Sequence, residues 1–94
     1  MNKTDYLLIT LAEECGEVIQ AVSKALRFGL DDHAPDSLES NAERIVKELS
    51  DLKGVEIMLI DEGVIRSGNT KDVFAKIDKV EKWMMHSKLN ERLK

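Results

Sequence analysis

Aliphatic residues recur at three- and four-residue intervals along three long stretches of this chain, a period that leaves little room for anything but α-helix. In the first stretch Leu7, Leu8, Leu11, Cys15, Val18, Ile19, Val22, Ala25 and Leu26 keep the spacing. It predicts a helix from about Asp5 to Phe28, capped by Thr4 or Asp5 and stopped by Gly29. Gly16 inside it costs roughly 1 kcal/mol relative to Ala and leaves room for a neighbour to approach. Ile45, Val46, Leu49, Leu52, Val55, Leu59 and Ile60 mark a second helix, from Ser40 or Asn41 to Glu62. Val73, Ile77, Val80 and Met84 mark a third, capped by Asn69 or Thr70 and reaching toward Leu89. The segments GLDDHAPDSLESN and GVIRSGNT break the pattern with glycine, proline and capping residues. The expectation is an all-α chain, one domain over residues 1–94, with three main helices that form an oligomeric helical bundle.

The oligomer follows from size. A chain of 94 residues, 43% hydrophobic but only 4% aromatic, has an aliphatic core with few large anchors. Helices of this length need partners, so a homodimer or homotetramer is expected. The net charge of −4 argues against a general nucleic-acid binder, whose surface must neutralise phosphates. Cys15 is the only cysteine, so no disulfide forms within the chain; on the apolar stripe it reads as a small buried hydrophobe. With no secretory leader pattern and no 18-residue apolar run, the expected location is cytoplasmic, with no membrane partner.

Against this aliphatic background the acids stand out. Glu14 and Glu17 are three residues apart and so share a side of the first helix. The apolar stripe is expected to centre near Cys15 and Val22, with Glu14 at its border. The second helix repeats the device with Glu48 and Asp51, again at a stripe border. Like charges on adjacent turns repel, and four of them between packed faces call for compensation. A hard divalent cation supplies it: Mg²⁺ takes oxygen ligands, keeps waters and bridges to phosphate. Pairs of acids at this spacing also occur on ordinary solvated helix faces, and the pattern alone leaves both readings open.

Glu13-Glu14-x-x-Glu17 and Glu48-x-x-Asp51, with their flanking text LAEECGEVIQAVSKALRFG and ERIVKELSDLKGVEIML, resemble the MazG-like all-α nucleoside triphosphate pyrophosphohydrolases. That superfamily includes dimeric dUTPases and phosphoribosyl-ATP pyrophosphohydrolases. The similarity spans residues 7–60 well and the third helix more loosely. It implies that Glu14, Glu17, Glu48 and Asp51 are ligands of Mg²⁺, with Mn²⁺ as the alternative ion, and that Glu13 orients a ligand or a water. It further implies cleavage of the α–β phosphoanhydride of a nucleoside or deoxynucleoside triphosphate, giving a monophosphate and pyrophosphate. Such hydrolysis needs neutralised phosphoryl oxygens and an activated water. Glu17 or Glu13 could accept the water's proton, which makes these two the catalytic candidates.

Other side chains could complete a substrate site. Lys76, Lys79 and Trp83 share a flank of the third helix; the lysines either reach phosphates or are solvated cations paired with Asp72 or Asp78. Lys24 and Arg27 either touch phosphate or suit the negative end of their helix. Phe28 and Trp83 are candidates for stacking on a base, or else core aromatics. Glu56 falls in the middle of the second helix's apolar face, where a partner across a subunit interface is the expected explanation. His33 and His86 are expected to be exposed. The reading that competes with an enzyme is a non-catalytic helical interaction module, its acids serving a structural metal or a partner's basic surface.

Overall fold

The computed structural model describes residues 1–94 and contains three helices and no strand: α1 (Lys3–Phe28), α2 (Asn41–Asp61) and α3 (Thr70–Leu89). Each start is fixed by a side-chain cap. Asn2 accepts from the Asp5 N–H at 2.8 Å, Ser40 from the Glu43 N–H at 3.1 Å, and Asn69 from the Asp72 N–H at 2.9 Å. The first helix therefore begins two residues earlier than its apolar period suggests, because Asn2 caps it instead of Thr4 or Asp5. Glycines with positive φ follow the first two helices, Gly29 at 102° and Gly63 at 73°. After α2 the Gly63 N–H bonds to the Ile60 carbonyl and the Val64 N–H to that of Leu59, a Schellman motif in which Val64 packs on the core.

α1 and α2 form an antiparallel pair: Lys3 at the start of one reaches Glu62 at the end of the other, 2.6 Å from Nζ to Oε1. The α1 residues covered by this packing alternate by threes and fours: Leu7, Leu11, Glu14, Val18, Ala21 and Ala25. On α2 the covered row is Asn41, Ile45, Glu48, Leu52, Val55 and Leu59. Such rows make the seam of two helices crossing at a small angle. One end of the seam is a small apolar cluster of Leu7, Val55 and Leu59, with Leu11 and Val64 packed against it. Toward the other end only alanines, Ala21 and Ala25, are buried on α1. Between the two ends lie the acids.

This arrangement corrects three expectations. The covered stripe of α1 does not centre on Cys15 and Val22: Cys15 is exposed, as are Ile19 (68%) and Leu26 (83%). The apolar band of α1 is wider than one neighbour can cover, so α2 takes one edge and leaves Leu8, Cys15, Ile19, Val22 and Leu26 in solvent. Glu14 consequently sits within the seam and not at a border. Glu56 is half-buried and finds its partner on its own helix, Lys53 Nζ at 2.7 Å, so no subunit across an interface is needed to neutralise it. A Cβ at Gly16 would meet nothing within 4 Å, so no neighbour in the chain uses the space it leaves. His33 and His86 are exposed, in agreement with expectation.

α3 packs on neither of the other helices. None of its Cα atoms lies within 8 Å of one in α1 or α2, and none of its residues is buried. The Cα radius of gyration is 16.8 Å, against about 12 Å for a compact chain of this length. The accessible surface is 7826 Å², whereas a folded monomer of 10.6 kDa exposes roughly 5,500 Å². No helix is long and apolar enough to cross a membrane.

Candidate metal centre

Three carboxylates converge midway along the α1–α2 seam. Glu14 comes from α1; Glu48 and Asp51, one turn apart, come from α2. One oxygen from each lies within 4.8 Å of the others. In an octahedral Mg²⁺ shell, with oxygens near 2.1 Å from the ion, ligands lie about 3.0 Å apart when adjacent and about 4.2 Å when opposite. The three oxygens lie no more than 4.8 Å from one another, close enough for side-chain torsions to bring them into such a shell. The donors are all hard carboxylate oxygens, the set that suits Mg²⁺ or Mn²⁺ over softer metals. The residues fit such a cation.

Their electrostatics differ in a revealing way. Glu48 is only 3% exposed, and a carboxylate so placed must be paired. Arg44, one turn earlier, donates from Nε to Glu48 Oε1 at 2.8 Å. Lys47 stands in the same relation to the exposed Asp51, at 3.6 Å. Glu14 takes part in none of the ion pairs of the chain. Desolvation in the seam raises its pKa above the ordinary carboxylate value, and the charges of Asp51, Glu48, Glu17 and Glu13 raise it further. Three acids thus share two local cations, and the uncompensated one is the acid contributed by the opposite helix.

Of the other predicted ligands, Glu17 is exposed and lies outside the converging group, as does Glu13. Both are near enough for their charge to act on Glu14. Lys24 and Phe28 line a small cavity of about 250 Å³ with His33 and Asn41, where α1 passes into its loop. Asn41 anchors that loop through its Nδ2, which donates to the Gly29 carbonyl at 2.8 Å. Arg27 lies outside this cavity, its guanidinium 5.8 Å from the Phe28 ring centre. Lys76, Lys79 and Trp83 do gather, but in a separate cleft on α3, not beside the carboxylates. Neither lysine pairs with Asp72 or Asp78.

Three contributors escaped the sequence reading. Arg44 and Lys47 precede Glu48 and Asp51 by four residues, a spacing that announces ion pairs on a helix. Arg92 joins the α3 cleft only because the chain folds back after Leu89, which no periodicity reveals. Comparison of the chain with protein-family models, with curated proteins and with solved structures gives no match.

Proposed function

We propose that this chain is a Mg²⁺-dependent nucleoside triphosphate pyrophosphohydrolase of the MazG-like kind, working as a homodimer or homotetramer. The observation that carries the reading is the convergence of Glu14, Glu48 and Asp51 from two helices to within 4.8 Å. It turns two sequence motifs that each occur on ordinary helix surfaces into one donor set. Glu14, Glu48 and Asp51 hold the cation. Bound there, Mg²⁺ supplies neutralisation of phosphoryl oxygens and a lowered pKa for a coordinated water. Glu17, one turn beyond Glu14 and exposed, accepts the proton of the attacking water, with Glu13 as the neighbouring alternative. Lys24 and Phe28, on the same helix, offer a phosphate contact and an aromatic face.

The bond cleaved in this reading is the α–β phosphoanhydride of a nucleoside or deoxynucleoside triphosphate. The oligomer rests on surface area: the chain exposes about 2,300 Å² more than a compact monomer would, enough for an obligate interface. The competing reading, a non-catalytic helical module, draws on the Arg44–Glu48 and Lys47–Asp51 pairs, which neutralise two of the acids without an ion. Incubation with a panel of ribo- and deoxyribonucleoside triphosphates and Mg²⁺ separates the two. The enzyme yields monophosphate and pyrophosphate. Absence of cleavage leaves the module, and release of orthophosphate moves the reaction to a different bond.

A further inference from the structure

The loop between α1 and α2, residues 29–40, lies outside both acidic motifs, yet its backbone is tied down. The Asn41 N–H bonds to the Asp32 carbonyl at 2.8 Å and the Ala42 N–H to that of Leu30 at 2.9 Å. Within the loop the Ser37 N–H bonds to the Ala34 carbonyl at 3.0 Å, and the Asn41 side chain holds Gly29. These bonds set Asp32, His33 and Asn41 around the cavity of about 250 Å³ that Lys24 and Phe28 reach from α1. Such a volume is smaller than sites that enclose a whole drug-sized ligand, and it suits one flat ring. Phe28 supplies an aromatic wall for stacking.

The polar groups that the loop brings to this cavity are mostly acceptors. Asp32 belongs to no ion pair, although Lys24 lines the same cavity. His33 Nδ1 lies 2.9 Å from the Ala34 carbonyl. A carbonyl only accepts, so Nδ1 carries the proton and the neutral ring keeps a lone pair at Nε2. Asn41 commits one amide N–H to Gly29 and retains the other. The nucleobases differ in what they offer such a wall. Guanine sets two adjacent donors, its ring N–H and its amino group, beside one carbonyl, and two donors side by side match the two oxygens of a carboxylate. Uracil and thymine flank their single N–H with carbonyls. Adenine and cytosine put a bare ring nitrogen next to the amino group.

The cavity also stands at a workable distance from the carboxylates. Lys24 precedes Phe28 by one turn, on the flank of α1 that carries Glu17. Asn41 precedes Glu48 by seven residues, about 10 Å of helix. A ribose and its α-phosphate bridge that gap, passing Lys24. We infer that the cavity at the α1–α2 loop is a base subsite selecting guanine: Phe28 stacks on the base, Asp32 accepts from its ring N–H and amino group, and Asn41 donates to its carbonyl. This rests on the function proposed above and narrows its substrates to GTP or dGTP.

The test compares GTP, ITP and UTP with Mg²⁺ in wild type and Asp32→Asn. The substitution keeps the backbone carbonyl that receives the Asn41 N–H, so the loop stays closed. Wild type prefers GTP over UTP in kcat/KM by about 10- to 100-fold, the range that hydrogen bonds to a charged group supply. ITP, which lacks the amino group, falls between them. In Asp32→Asn the ratio of GTP to UTP drops toward one. Equal kcat/KM for GTP and UTP in wild type, or a preference that survives in Asp32→Asn, overturns the guanine site and leaves the hydrolase standing. A second readout needs no turnover. Calorimetric titration with GMP in EDTA gives saturable heat in wild type and in Glu48→Gln, and the heat is lost in Asp32→Asn; UMP gives none. A chain that binds GMP in this pattern but cleaves no triphosphate keeps the guanine site and loses the hydrolase. No heat from millimolar GMP in wild type overturns the site.

Discussion

Glu14 is the residue on which the electrostatics turn. Its pKa is raised by desolvation and by four neighbouring carboxylates, so the folded chain binds its proton more tightly than the unfolded chain does. Below the unfolded value both states are protonated and Glu14 costs nothing. As pH rises through the raised folded value, the unfolded state is already ionised and the repulsion in the fold appears in full. Without metal, Glu14→Gln should therefore gain stability relative to wild type as pH climbs through that window; thermal unfolding in EDTA across pH measures it. Arg44 tests the opposite helix. Its removal leaves Glu48 buried and unpaired, which should cost about 1–3 kcal/mol in EDTA. Saturating Mg²⁺ should recover most of that loss, as thermal midpoints with and without the ion will show. The spacing of these acids was legible in the sequence. Their position was not, because a helical wheel finds the middle of an apolar band and cannot say which edge a neighbour covers.

At the scale of elements, the ends of the helices were largely legible. Ser40, Asn69, Gly29 and Gly63 cap or stop where their chemistry says they should. The exception at the C-terminus is instructive. The reversal after α3 places Glu91 in the left-handed region, which a glycine occupies freely and a side-chain-bearing residue does not. Glu91→Gly should relieve about 1 kcal/mol of local strain and slow amide exchange at Arg92. Nothing in the sequence marked this turn, since the residue that usually signals it is missing. Packing of α1 on α2 was legible as two apolar rows, but α3 has a row of its own and no neighbour within the chain. A helix in a protein draws most of its stability from packing its apolar face, and α3 packs on nothing in its own chain. Its unfilled stripe is part of what supports the proposed oligomer.

For the whole molecule, the exposed surface is the observation behind the proposed oligomer. A sequence read one helix at a time does not show this, because each helix carries a sound apolar face and only the fold reveals which faces stay bare. The carboxylate cluster, by contrast, is complete within one α1–α2 pair. Glu48→Gln should abolish turnover by at least a hundredfold while leaving far-ultraviolet circular dichroism nearly unchanged, since Gln keeps the shape of the side chain and removes only its charge. The most direct trial of the account is a calorimetric titration of wild type and Glu14→Gln with MgCl₂ at neutral pH, without nucleotide. Saturable heat in wild type that is lost in the variant is the expected result. Equal heats in the two proteins, or none in either at millimolar Mg²⁺, would mean that the three acids meet in the seam for a reason other than holding a cation.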